Sequence, residues 1–241
     1  MPAQVYVMGM RGIVEANRIA AEAGTGRGIV VNTTSTPNRP EPRLATKGRG
    51  GVLADIYKAK DNWETDLSPF HLGPCPLYGT HTAQRMENAW QFCKVYKRHT
   101  DAQGHPTADY WKWAKGGWND DKPHRFPMGR GARPEHSLWD GRYLGYIDAR
   151  KVIYAPVYAE AVMKTKGWAK LVELYNTKDT IVLRDFDGYR HDTDMMTLTE
   201  VLNCPTKIMG HAFVLKMLLT NNEALNQLDQ RVDYAASSNA S

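Results

Sequence analysis

Between Ala83 and Arg98 the apolar residues return at a helical interval of about 100° per residue. Met86, Ala89, Trp90, Phe92, Cys93 and Tyr96 occupy one broad arc. An arc this wide predicts a core helix, capped by Thr80 or Thr82. Only a narrow strip is left over. It carries Glu87, Gln91 and Lys94 at i, i+4 and i+7, one above another. The same spacing occurs on solvated helix faces, where Glu and Lys merely support the helix. The two readings differ in whether the strip faces open solvent or an enclosed acidic pocket.

The chain has 241 residues, 42% hydrophobic and 24% charged, which suits one good-sized domain with appendages. No apolar run approaches the ~20 residues that span a bilayer, and no basic-then-apolar leader opens the chain. The expectation is a soluble, cytoplasmic protein with no membrane partner. Cys75, Cys93 and Cys204 form no C-x-x-C pair, which argues against a disulfide framework or a zinc ribbon. His71, Cys75 and His81 lie close together but lack a fourth ligand at a standard spacing, so neither a metal nor another cofactor is expected. The net charge of +5 favours an anionic partner, phosphate first.

Gln4 to Met8, Val14 to Ala23 and Gly28 to Val31 read as strand, helix and strand. The run Gly24-Thr25-Gly26-Arg27-Gly28 precedes its strand and lacks G-x-G-x-x-G spacing, so it reads as a helix stop and turn. Thr36 to Gly51 is a basic loop carrying Arg39, Arg43, Lys47 and Arg49, either a solvated excursion or a grip on a phosphate backbone. Asp101 to Arg133 reads as an irregular insertion in which Trp111, Trp113 and Trp118 are loop anchors or a base-stacking platform. Leu138 to Tyr154 has helical spacing, with Pro156 ending that helix or opening the next. Thr180 to Leu183 reads as a strand ending in a turn that holds Asp185 and Asp187. Thr197 to Glu200 is a capping box, Met209 to Leu219 a final apolar helix, and Ala235 to Ser241 a frayed tail.

Ser68-Pro69-Phe70 followed by Glu87-x-x-x-Gln91-x-x-Lys94 resembles the opening motif of the NADAR superfamily, also called the YbiA-like or RibX-like fold. The likeness continues through Met128-Gly129-Arg130, a helix bearing Trp139 and Arg150, and a strand ending in Asp185 and Asp187. It closes with Gly210 opening the last helix, so in element order it spans residues 66 to 219. The family's tryptophan-glycine pair is absent, Lys207-Ile208-Met209 stands where the family has an asparagine, and the N-terminal β-α-β is additional.

The resemblance implies an α+β protein: a mainly helical NADAR-like domain over residues 63–220, a β-α-β extension with the basic loop over 1–62, and a tail over 221–241. It implies cleavage of an N-glycosidic bond between ribose and a base or amine, on an ADP-ribose-like nucleotide that is free or attached to nucleic acid. Glu87 with Asp185 or Asp187 would stabilise the oxocarbenium-like sugar and position water, Asp185 being preferred as nearer the strand end. Ser68, Phe70, Gln91, Lys94, Gly129, Arg130, Gly210 and His211 would hold substrate, with Lys94 and Arg130 on phosphate. Each also has a plain structural reading: Arg130 paired to an acid, the aspartates closing a turn, His211 packing in the core. Two rival functions remain. One is a non-catalytic nucleic-acid-binding protein that uses the basic loop and the tryptophans; the other is an enzyme that forms a glycosidic bond.

Overall fold

In a computed structural model that describes residues 1–34 and 63–235, the chain starts as expected. Strand β1 (Gln4–Gly9) leads into helix α1 (Ile13–Glu22) and strand β2 (Gly28–Asn32). Gly24 and Gly26 take positive φ values of 96° and 72° between them, as a turn requires. The basic loop, with Arg39, Arg43, Lys47 and Arg49, lies outside the described residues.

The chain re-enters at a 3-10 turn, Trp63–Leu67, and a short hairpin follows, β3 (Cys75–Pro76) with β4 (Thr82–Ala83). Thr82 is therefore in a strand, and helix α2 (Met86–Phe92) is shorter than its periodicity predicts. Beyond Phe92 the chain turns extended, because β5 (Lys94–Val95) pairs with residues 136–137. Residues 101–133 are not wholly irregular either. They contain helix α3 (Ala108–Asn119), which buries Tyr110, Ala114, Gly117 and Trp118. Two adjacent glycines mask this helix in the sequence. Gly117 is there because α2 packs against it, and a Cβ at that position would lie 2.0 Å from the Phe92 ring.

Residues 138–154 also depart from expectation. Trp139 sits in a strand: β6 (His136–Trp139) and β7 (Arg142–Leu144) form a hairpin in which Trp139 faces Arg142. The two loop residues, Asp140 and Gly141, have φ of 49° and 74°, the geometry of a two-residue primed turn. Helix α4 (Tyr146–Ala149) then runs through a π-helical turn, Arg150–Tyr154, into α5 (Ala155–Val162), with Pro156 in the first turn of α5. Helix α6 (Lys166–Thr177) and strand β8 (Thr180–Asp185) follow. The capping box opens α7 (Leu198–Asn203), and α8 (His211–Leu219) is the apolar last helix. Residues 221–235 do not hang free as a tail, since Leu225, Leu228 and Tyr234 are buried; of the expected frayed tail, residues 236–241 lie outside the described residues.

The molecule is thus mixed helix and sheet, and β8 ties its parts together. It lies between β1 and β2, parallel to both, with Ile181 beside Val5 on one side and Ile29 on the other. The N-terminal strands flank a strand from the far end of the chain. All six residues of β8 are buried. Helix α1 covers one face through Ala16, Ile19 and Ala20, which pack with Met8 and Val182. On the other, Ile181 and Leu183 join the main core with α2, α3, α5 and α8. No helix among the described residues is long and apolar enough to cross a membrane.

Candidate active site

At the carboxyl end of this parallel sheet, where ligands of α/β sheets commonly bind, a cleft of about 260 Å³ opens. Thr34 past β2 and Asp185, Phe186 and Asp187 at the end of β8 form one side; Glu87, Trp90, Gln91 and Lys94 form the other. Ser68, Pro69 and Phe70 also line it, and their position has a local cause. The Pro69 carbonyl accepts the Glu87 N–H at 2.9 Å and the Leu72 carbonyl accepts that of Met86 at 2.8 Å. The turn thereby satisfies donors that the start of a helix leaves open.

The strip on α2 lines this cleft and does not face open solvent. Glu87 is 6% exposed. Its Oε1 accepts the Gln91 amide at 2.8 Å, and the Gln91 oxygen in turn accepts from Lys94 Nζ at 2.7 Å. Lys94 also stands 4.7 Å from the centre of the Trp90 ring. Burial pushes the Glu87 carboxyl up from 4.5 to about 7, against the opposing pull of Gln91, Lys94 and Arg125. The same desolvation holds the Lys94 ammonium below its ordinary value. Gln91 has both ends of its amide occupied and orients its two neighbours.

The two aspartates stand in different surroundings. Asp185 is 2% exposed. Its Oδ2 accepts the Ala212 N–H at 3.1 Å and lies 3.2 Å from His211 Nδ1. Gly210 permits that approach, since a Cβ there would be 2.1 Å from the same oxygen. Asp187 is more open and bridges to Arg125 at 3.4 Å. Burial raises its carboxyl, and the charge of Asp185 adds to the effect.

Of the residues expected from sequence, Ser68, Phe70, Glu87, Gln91, Lys94, Asp185, Asp187 and His211 line this one cleft. Gly210 sits behind Asp185. Gly129 and Arg130 do not line it. Gly129 turns the chain at φ 90°, and Arg130 is exposed with its guanidinium 5.6 Å from the Phe126 ring. Two other arginines line it: Arg150, whose guanidinium donates to the carbonyls of Val201, Leu202, Cys204 and Lys207, and the loop residue Arg125, held 5.4 Å and 5.0 Å from the rings of Phe126 and Phe186. A loop arginine five places from the expected one carries no periodic signal, and only the fold selects between them. Trp111, Trp113 and Trp118 lie on α3 outside the cleft, among the rings of Tyr78, Phe92, Tyr96, His99 and Tyr110. Phe126, Tyr146, Phe186 and Ile208 are half-exposed residues of the cleft lining. No protein-family model matches the chain, and no curated protein or solved structure gives a significant match.

Proposed function

We propose that this protein is an N-glycosidase that cleaves the bond between ribose C1′ and a base nitrogen in an ADP-ribosylated nucleobase or a related ribosyl nucleotide. The supporting observation is one cleft holding a buried carboxyl near neutrality, Glu87, and a second, more open carboxyl, Asp187, beside the cations Lys94 and Arg125. When the C1′–N bond breaks, its electron pair goes to the base nitrogen, which takes up a proton, and positive charge builds on the sugar. Water then adds to C1′ and gives up a proton. A carboxyl near pH 7 is suited to supplying the first proton. Asp187 stabilises the charged sugar and receives the proton from water. Asp185, preferred on sequence grounds, accepts from the Ala212 N–H of α8 and from the Asp187 N–H, with His211 beside it, and supports Asp187. Arg125 replaces Arg130 as partner of Lys94 on the substrate phosphate, offering a planar fork beside a point charge.

The cleft falls short of the roughly 300 Å³ and upwards of sites that engulf a drug-sized ligand. It suits the reacting ribose and one attached group, with the rest of the ligand lying across the half-exposed rim. That rim favours a second reading, in which a nucleic-acid strand lies on it and the cleft only binds.

The test is incubation with ADP-ribosylated guanine, as free nucleotide and in an oligonucleotide, with mass spectrometry for released ADP-ribose. Glu87→Gln keeps shape and hydrogen-bonding reach, so ADP-ribose affinity by calorimetry should survive while single-turnover cleavage falls about a hundredfold or more. Full activity in the variant ends the assignment of Glu87. Binding without release by the wild type favours the second reading.

A further inference from the structure

Arg150 opens the π-helical turn between α4 and α5, a kind of turn that recurs at functional sites. It is 1% exposed yet belongs to the cleft lining. Of the other two cations there, Lys94 is tied through Gln91 to Glu87, and Arg125 pairs with Asp187. Arg150 makes no ion pair among the described residues. Its guanidinium is spent on the carbonyls of Val201, Leu202, Cys204 and Lys207, and on the Tyr146 hydroxyl oxygen at 2.9 Å. Carbonyls at the end of α7 carry partial negative charge, but they do not cancel a full charge taken out of water. The same guanidinium stands 4.3 Å from the centre of the Tyr146 ring, one helical turn earlier in the chain. Tyr146 is thereby fixed although it is 47% exposed. A phenol has one hydrogen to donate besides the lone pairs with which it accepts. Here the oxygen accepts from Arg150, and the hydrogen has no acceptor among the described residues.

We propose that Tyr146 is a ligand-binding residue that donates its hydroxyl to a phosphoryl oxygen, and that Arg150 is the positioning residue that fixes its ring and keeps an unneutralised positive charge behind it. The charge selects a phosphoryl group over a sugar hydroxyl. A neutral hydroxyl gains little from Arg150, whereas an anion facing it gains Coulomb energy that surroundings of low dielectric enlarge. The rest of the lining agrees. Lys94, Arg125 and Arg150 stand against Asp185, Asp187 and a Glu87 carboxyl pushed up to about 7, so a bound anion does not add to an excess of negative charge.

Calorimetric titration of the full chain with ADP-ribose and with inorganic pyrophosphate tests this without turnover. The choice of ADP-ribose rests on the N-glycosidase reading; that of pyrophosphate does not. Tyr146→Phe keeps the ring beside Arg150 and removes only the hydroxyl. Affinity for both ligands should fall about tenfold, the order for a hydrogen bond to a charged group, while thermal unfolding stays cooperative. Unchanged affinity for both means that the hydroxyl serves only water and overturns the proposal. So does a loss confined to ADP-ribose, which would assign the hydroxyl to sugar or base. Arg150→Lys keeps the charge and Arg150→Gln removes it, and both give up most bonds to the loop carbonyls. Arg150→Gln should weaken pyrophosphate binding more than Arg150→Lys and flatten its dependence on salt. Equal losses and equal slopes in the two folded variants overturn the role of the charge; if either variant does not fold, Tyr146→Phe decides alone. A wild type that binds neither ligand overturns the proposal. One that binds both but cleaves no ADP-ribosylated guanine refutes the enzyme reading and leaves this one standing.

Discussion

Glu87 shows why a sequence interval can reveal a site. On a helix, residues four and seven apart share a face, so Glu87, Gln91 and Lys94 were legible as a unit before any neighbour was known. Their electrostatics were not, because desolvation depends on what covers them. The raised carboxyl makes a signed prediction. Between 4.5 and about 7 the folded chain binds more protons than the unfolded chain at Glu87, so this residue's contribution to stability is lost as pH rises through that window. Glu87→Gln removes the effect. Its unfolding free energy in urea should nearly match the wild type at pH 4.5 and exceed it by about 3 kcal/mol at pH 8. An unchanged difference across that range would mean Glu87 carries its charge in the fold without penalty.

Among the secondary elements, α3 is hidden in the sequence because a residue with poor local propensity stands there for the sake of a neighbour. Gly117 breaks the helical pattern of α3 because the Phe92 ring of α2 occupies the space of its side chain. The adjacent Gly116 has no atom within 4 Å of the place a Cβ would take. The pair makes a controlled comparison. Gly117→Ala should cost about 1–3 kcal/mol through overpacking and disturb α2 with its polar strip. Gly116→Ala should gain up to about 1 kcal/mol from helix propensity alone. Denaturant midpoints of both variants test this, and equal effects would reject the packing account. The β6–β7 hairpin was misread for a different reason. Asp140-Gly141 is a legible two-residue turn signal, overridden by apolar residues that happen to recur at helical spacing.

The architecture of the whole molecule depends on β8. With β1 on one side and β2 on the other, its backbone groups are satisfied by segments at the opposite end of the chain. The N-terminal β-α-β that reads as an extension is thus two thirds of the sheet that presents Asp185 and Asp187. A chain beginning at Trp63 would leave both edges of a fully buried strand unpaired, at a cost that burial without partners makes severe. We expect such a chain to lose cooperative thermal unfolding by circular dichroism and to release no ADP-ribose. Retention of a sharp transition would return residues 1–34 to the status of an appendage.

The sequence by itself determined the local matters: the β-α-β opening, the buried helix and its polar strip, the strand ending in two aspartates, the capping box and the apolar last helix. Each is written in periodicity or in a turn residue, which acts over a few positions. Tertiary structure alone decided that β8 divides β1 from β2, and that Arg125 enters the cleft while Arg130 stays outside. It also decided that Asp185 is consumed by α8, with His211 beside it, while Asp187 stays open. Those outcomes are set by contacts between residues far apart in the chain, and no local pattern records which distant partner a strand edge, a loop arginine or a carboxylate will meet.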